Sequence, residues 1–162
     1  IPAIHPELAN WRKNFVGVSY VHAGSNFEVF GAIDDLWLGS DGDYIVVDYK
    51  ATSKKEEVNL DAGWQITYKR QMEIYQWLLR KNGLPVSNRG WFVYCNGKRD
   101  VDGFNNRVEF KVSLLPYDGK DNWVETALIG AKETLSQTDL PPVDENCEYC
   151  TYRKETAAFE QG

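Results

Sequence analysis

The stretch YIVVDYKAT, residues 44–52, constrains the fold more than any other part of the chain. Its apolar first half predicts a buried strand, and successive side chains of a strand point to opposite faces. Asp48 and Lys50 therefore share one face, and Tyr49 lies on the other. Because charges are seldom buried unless they are paired or have a function, this strand is predicted to carry an ion pair or a reactive site.

A second predicted strand, FEVFGAIDDLWL, precedes it at residues 27–38, and the turn signal GSDGD at residues 39–43 separates the two. Together they predict a hairpin. In that hairpin Asp34 comes near Asp48, whereas Asp35 falls on the other face of its strand.

Two carboxylates held close together repel each other, so a site that keeps both usually contains a cation. Oxygen ligands of this kind suit Mg²⁺ or Mn²⁺, and the backbone carbonyl of Tyr49 supplies a further oxygen. Such a metal polarises a phosphoryl oxygen and acidifies a water, while Lys50 stabilises the developing charge. The alternative is a hairpin held by a salt bridge from Lys50 to Asp34 or Asp48. The spacing alone does not separate these interpretations.

The remaining pattern predicts an α/β domain with a central mixed β-sheet flanked by helices. The 162 residues suit a single domain. The predicted helices cover residues 5–15, 64–83 and 121–137, and the other predicted strands cover residues 16–22, 89–97 and 106–117. Gly83 is predicted to end the second helix. Residues 141–154 are predicted to form an extended tail.

Composition limits the partners and the location. The net charge of −6 argues against a broad basic surface for nucleic acid, but it leaves room for a local basic groove near residues 53–55, 68–70 and 78–81. The alternative is that these clusters are solvated faces. No apolar run approaches the roughly 18 residues that cross a membrane. Three cysteines do not make a disulfide framework, so a cytoplasmic protein is predicted.

Three motifs in order, GAIDDLW, VVDYKAT and QMEIY, resemble the RecB-type branch of the PD-(D/E)XK nuclease superfamily. That branch carries a G-x-x-D strand, a D-Y-K strand and Q-x-x-x-Y on the following helix. The matching positions, in chain order, are Gly31 and Asp34, Asp48 and Lys50, and Gln71 and Tyr75.

The resemblance implies a restriction-endonuclease-like core and a metal-dependent nuclease that hydrolyses DNA phosphodiesters in repair, recombination or defence. It implies that Asp34 and Asp48 bind Mg²⁺ or Mn²⁺ and that Lys50 is the catalytic lysine. In the family, the Gln and Tyr lie beside the active site and contact DNA or support the site. Gln71 and Tyr75 are one turn apart on the predicted helix and match that role, the alternative being ordinary helix packing.

Members of the branch usually carry a His or Glu on an upstream helix that completes the metal site. His5 and Glu7 do not match that motif, and with His22 they are predicted to be structural or exposed. The missing helix would then precede Ile1 or come from a partner protein. The alternatives are therefore an incomplete nuclease that binds DNA within a larger assembly, or a non-nuclease domain with a salt-bridged hairpin. Glu73 is predicted to face solvent.

Cys147 and Cys150 have C-x-x-C spacing, and a second metal site at this pair is a further candidate. Relatives with an iron–sulfur cluster use one cysteine before the nuclease core and three near the C-terminus. Cys95 is predicted to be buried in a strand, so this chain alone is not expected to hold a cluster, and zinc would need two further ligands. A thiol pair without metal is the favoured prediction.

Overall fold

The computed structural model describes residues 1–100, 103, 106–139 and 142–160. The helices are α1 (Leu8–Trp11), α2 (Ile66–Lys81), α3 (Val124–Leu135) and α4 (Glu148–Glu160), and a 3-10 turn over Gly63–Gln65 leads into α2. The strands are β1 (Val18–His22), β2 (Phe27–Gly31), β3 (Asp35–Leu38), β4 (Tyr44–Thr52), β5 (Arg89–Gly97) and β6 (Phe110–Asp118). No described helix combines the length and the apolar character needed to cross a membrane.

The central sheet has the strand order β3-β4-β5-β6. Strands β4 and β5 are parallel, while β3 pairs with β4 and β5 pairs with β6 in antiparallel fashion. Strands β1 and β2 form a separate antiparallel pair. A parallel connection needs a crossover, and α2 supplies it between β4 and β5. The predicted mixed sheet flanked by helices is confirmed.

Helix α2 packs its apolar stripe onto the sheets. Met72, Leu78 and Leu79 are fully buried, at a spacing that places them on one side of the helix. The predicted stop is also present, because Gly83 adopts a φ of +82° and its N–H donates to the carbonyl of Arg80 at 2.9 Å.

The single strand predicted over residues 27–38 is wrong, because an irregular segment at residues 32–34 separates β2 from β3. Within this irregular segment Ile33 is buried, and its N–H donates to the carbonyl of Trp11 at 3.1 Å. Arg12 Nε donates to the carbonyl of Asp34 at 2.9 Å. These contacts hold the segment against the region of α1 while it passes from one sheet to the other. Asp34 therefore lies just before β3 and not inside a strand.

The extended tail predicted over residues 141–154 is wrong from Glu148 onward, while residue 141 lies outside the described residues. Helix α4 begins at Glu148, and residues with high helix propensity, among them Arg153 and Lys154, follow. The helix predicted over residues 5–15 is also too long, because only the single turn of α1 forms within that range.

Glu73 does not face solvent as predicted; it is buried at 7% exposure. Its carboxylate accepts hydrogen bonds from Tyr117 Oη at 2.7 Å, Trp123 Nε1 at 2.7 Å and the Lys120 N–H at 3.0 Å. These donors come from β6 and from the segment that leads into α3. Burial and the adjacent carboxylate raise the pKa of the Tyr117 hydroxyl. Glu73 thus ties α2 to two later parts of the chain.

We expect Glu73→Ala to lower the free energy of unfolding by about 3 kcal/mol, because three donors lose their acceptor in a buried place. Glu73→Gln should cost less, since its amide oxygen still accepts while its amide nitrogen opposes one of the donors. Urea unfolding at equilibrium measures both. Glu133→Ala, on the exposed face of α3, is the control, and an equal loss in the control would contradict the assigned role of Glu73.

Candidate active site

The candidate site lies where β4 passes from the core to the surface. Val46 and Asp48 are two residues apart in β4, so both point to the face that packs on the core, and both are buried. Tyr49, on the opposite face, is 48% exposed. The apolar first half of β4 therefore fixes Asp48 at the margin of the core, with Lys50 two residues further along the same face.

Asp34 reaches this point through the β3–β4 hairpin. The β3–β4 register begins with Asp35 opposite Val47, and Asp34 immediately precedes it, next to the position of Asp48. Asp34 Oδ2 accepts the N–H of Tyr49 at 2.8 Å, which fixes the carboxylate against the backbone of β4. The structure thus brings together the two carboxylates that the hairpin pattern predicted to meet.

Lys50 is held from three directions. Its Nζ lies 2.5 Å from Asp48 Oδ2, donates to Gln71 Oε1 at 3.2 Å, and sits 4.6 Å from the centre of the Tyr68 ring. The Lys50 side chain is only 17% exposed. The ammonium is therefore positioned by an anion, an amide and an aromatic face, and the salt bridge considered as an alternative from the sequence is present.

The Asp48 carboxylate is buried beside a single close cation. Lys50 Nζ lies 2.5 Å from Asp48 Oδ2 as an ion pair, although no donor among the described residues meets the directional requirements of a hydrogen bond to this oxygen. Burial raises the pKa of the Asp48 carboxyl, Lys50 opposes the rise, and the nearby Asp34 carboxylate adds to it. A buried carboxylate whose charged form is opposed by burial and by a second carboxylate gains from an additional cation nearby.

Gln71 and Tyr75 extend the contacts of Lys50 along α2. Gln71 uses both ends of its amide, accepting from Lys50 and donating through Nε2 to Tyr75 Oη at 2.7 Å. Burial raises the pKa of the Tyr75 hydroxyl. The one-turn spacing of the two residues thus produces a continuous chain of contacts from the helix to the lysine.

Gly31 makes room for Tyr75. A Cβ atom added at Gly31 would lie 2.6 Å from a ring carbon of Tyr75, too close for any real contact. The first residue of the G-x-x-D motif therefore has a steric function, because it allows the ring of Tyr75 to pack directly against the end of β2.

Asp35 is engaged on the opposite face. Its carboxylate forms an ion pair with Arg12 and accepts from Tyr49 Oη at 2.9 Å and from the N–H of Leu36 at 2.8 Å. With these partners Asp35 is a structural residue of the hairpin, separate from Asp34 and Asp48.

The residues at this point fit a hard divalent cation. Two carboxylates converge, the buried Asp48 and the Asp34 that accepts the N–H of Tyr49, and the backbone carbonyl of Tyr49 belongs to the same segment. Mg²⁺ commonly binds through one or two carboxylates and keeps several waters, so the pair is a sufficient protein contribution. Within the described part of the chain, no third His, Cys, Asp or Glu joins them to form a larger cluster.

The histidines and Glu7 have other partners. His22 is buried, with Nδ1 2.8 Å from Ser25 Oγ and Nε2 2.6 Å from Glu125 Oε2. His5 stacks on Trp11 at 4.4 Å between ring centres. Glu7 accepts from the side chain of Asn10 at 3.1 Å. None of these partners is a candidate site residue, in agreement with the structural role predicted for them.

Cys147 and Cys150 lie at the start of α4. Their Sγ atoms are 2.8 Å apart, and the N–H of Cys150 donates to Cys147 Sγ at 3.2 Å. Cys95 is half-buried rather than buried as predicted. Across the described ranges, no group of three or more potential ligands surrounds the pair. A metal at this position has no further support here, and the metal-free thiol pair stays a prediction.

The sequence interpretation missed Tyr68, whose ring lies under Lys50. The signal was available, because Tyr68, Gln71 and Tyr75 occur at positions i, i+3 and i+7 of one helix and so share a face. Tyr68 also packs edge-on against Trp64, and Lys54 lies 5.1 Å above the Trp64 ring. A local run of aromatic and cationic side chains therefore leads away from Lys50.

Comparison with known proteins agrees with this arrangement. A sequence model of the PD-(D/E)XK nuclease superfamily matches residues 3–154, a range that includes all the candidate site residues of β4 and α2. No curated protein and no solved structure matches the chain. The match spans most of the 162 residues, and the mixed four-stranded sheet with flanking helices is the restriction-endonuclease-like α/β arrangement. The chain therefore belongs to the PD-(D/E)XK nuclease superfamily.

Proposed function

We propose that this chain is a RecB-type, metal-dependent deoxyribonuclease that hydrolyses phosphodiester bonds in DNA repair, recombination or defence. The observation that carries the proposal is the largely buried Lys50, which pairs with Asp48 and donates to Gln71. This arrangement occurs in a chain that belongs to a nuclease superfamily. A salt bridge that only stabilised a hairpin would not require a helix amide aimed at its lysine. The chain acts as one nuclease domain, and a cytoplasmic location stays a prediction of the sequence.

In the proposed reaction, Asp34, Asp48 and the Tyr49 carbonyl hold Mg²⁺ or Mn²⁺. When bound, such an ion polarises a phosphoryl oxygen and lowers the pKa of a coordinated water. Lys50 stabilises the negative charge that develops on the phosphate, and Gln71 keeps its ammonium in position.

The surroundings of Lys50 supply a local basic surface. Lys54 lies over Trp64, and Arg70 lies on α2 one position before Gln71, with its guanidinium 5.8 Å from the centre of the Trp123 ring. These cations suit a phosphate backbone even though the net charge of the chain is −6. The overall acidity therefore does not conflict with a nucleic-acid substrate.

A second candidate function is a DNA-binding module of a larger assembly that keeps the nuclease fold without full catalysis. The observation that favours it is the pair of carboxylates without a further acidic or histidine ligand among the described residues. A partner protein or an additional segment would then complete the site. Binding of DNA without cleavage distinguishes this function from the first.

We expect the unmodified protein to cleave labelled DNA in the presence of Mg²⁺ or Mn²⁺, and we expect EDTA to stop the cleavage. Asp48→Asn and Lys50→Ala should each lower the rate by at least about 100-fold, because the first removes a metal ligand and the second removes the charge that stabilises the reacting phosphate. Gel analysis of single- and double-stranded substrates measures this effect.

Arg89→Ala is the matched control, since Arg89 forms an exposed ion pair with Asp118 where β5 begins and β6 ends, and it is not one of the site residues. It should leave the rate unchanged. Circular dichroism establishes that all variants are folded. Absence of metal-dependent cleavage by the unmodified protein contradicts the nuclease, and retained DNA binding in that case supports the binding module.

We expect Tyr75→Phe to lower kcat about 10-fold with little change in KM, because the loss of one hydrogen bond frees Gln71 and misplaces Lys50 without removing a substrate contact. Gly31→Ala should produce the same pattern by displacing the Tyr75 ring. Steady-state kinetics measures both, with the exposed Tyr149→Phe as the control. A rise in KM at constant kcat would show that Tyr75 acts through binding instead.

A further inference from the structure

A cavity of about 390 Å³ opens beside the candidate active site. One wall is a stripe of α2 at helical spacing, and the other is the end of β2. The side chains that matter here are Phe30 from β2 and Thr67, Arg70, Gln71, Ile74 and Tyr75 from α2. The volume lies in the range of small-molecule sites, and it exceeds what a single water or ion needs.

The lining of the cavity combines apolar side chains with a cation. Phe30 is a large apolar residue that is 54% exposed, and Ile74 lines the opposite wall. Arg70 is exposed and forms no ion pair with any carboxylate in the described ranges. An aromatic face, an aliphatic wall and a guanidinium that lies over the Trp123 ring without an ion pair together suit a flat, weakly polar ring joined to an anion. That combination is the chemistry of a nucleotide.

The cavity shares a wall with the candidate site. Gln71 and Tyr75 line it, and the same Gln71 amide accepts from Lys50. A nucleotide in the cavity would therefore be held next to the phosphate on which Lys50 acts.

We propose that this cavity receives one unpaired nucleobase of the DNA substrate, stacked on Phe30, while Arg70 binds an adjoining phosphate. The proposal rests on the proposed function and adds a substrate class to it. A base inside a duplex is stacked on both sides and paired along its edge, so it reaches a side pocket only after it leaves the helix. The protein therefore favours single strands, gaps and frayed ends over intact duplex.

The test measures DNA binding in EDTA, where no cleavage occurs, by fluorescence anisotropy. The probes are a single-stranded oligonucleotide, a set in which one base at a time is replaced by an abasic site, and the matching duplex. We expect the single strand to bind more tightly than the duplex. One or two neighbouring abasic positions should weaken binding roughly 10-fold, the scale of one base–aromatic stack.

The variant Phe30→Ala should weaken binding of the intact oligonucleotide by the same factor and should abolish the abasic effect. Phe30→Leu keeps an apolar side chain, which guards against a folding defect, but it removes the aromatic ring. It should therefore weaken binding and abolish the abasic effect as Phe30→Ala does. The control is Phe110→Ala on β6. Phe110 has a matching exposure of 53% and does not line the cavity. It should leave binding unchanged.

Two results separate the failure of this proposal from failure of the nuclease. If the protein cleaves DNA but Phe30→Ala and Phe30→Leu bind with unchanged affinity and abasic sensitivity, the base pocket is wrong and the nuclease stands. The same holds if duplex binds more tightly than single strand. If the protein neither binds nor cleaves DNA, both proposals fall.

Discussion

The buried pairing of Asp48 with Lys50 is the interaction on which the rest of the site depends. A carboxylate and an ammonium placed at the margin of an apolar strand are costly unless further groups satisfy them. Here Gln71 contacts the lysine, Tyr75 contacts Gln71, and the packing of α2 fixes both. The strand and the crossover helix are therefore coupled through polar contacts as well as through the core.

This coupling explains the shape of the chain before β4. The irregular segment between β2 and β3 lets β2 end beside α2, where Gly31 accommodates the ring of Tyr75. The same segment lets Asp34 turn toward the backbone of Tyr49. One irregular segment thus serves both the helix packing and the carboxylate pair, which is why a continuous strand over this region would not form the same site.

Much of the arrangement could be predicted from local sequence pattern. The period-two alternation of β4, the hairpin signal and the spacing of Gln71 and Tyr75 each depend on residues close together in the chain. The burial of Glu73 could not be predicted in this way, because its partners Tyr117 and Trp123 lie more than forty residues later. The irregular segment before β3 likewise depends on distant contacts with the region of α1. Helix α4 was missed because its polar residues carry little hydrophobic periodicity.

The most direct test of the central claim is a crystal structure of the protein soaked in Mn²⁺, with anomalous diffraction data. We expect an anomalous peak within coordination distance, about 2.0–2.3 Å, of carboxylate oxygens from both Asp34 and Asp48. The Tyr49 carbonyl should be a further ligand, and Asp48→Asn should abolish the peak. A well-occupied Mn²⁺ elsewhere, with Asp48 still paired only with Lys50, would contradict the claim that these two carboxylates form the metal centre.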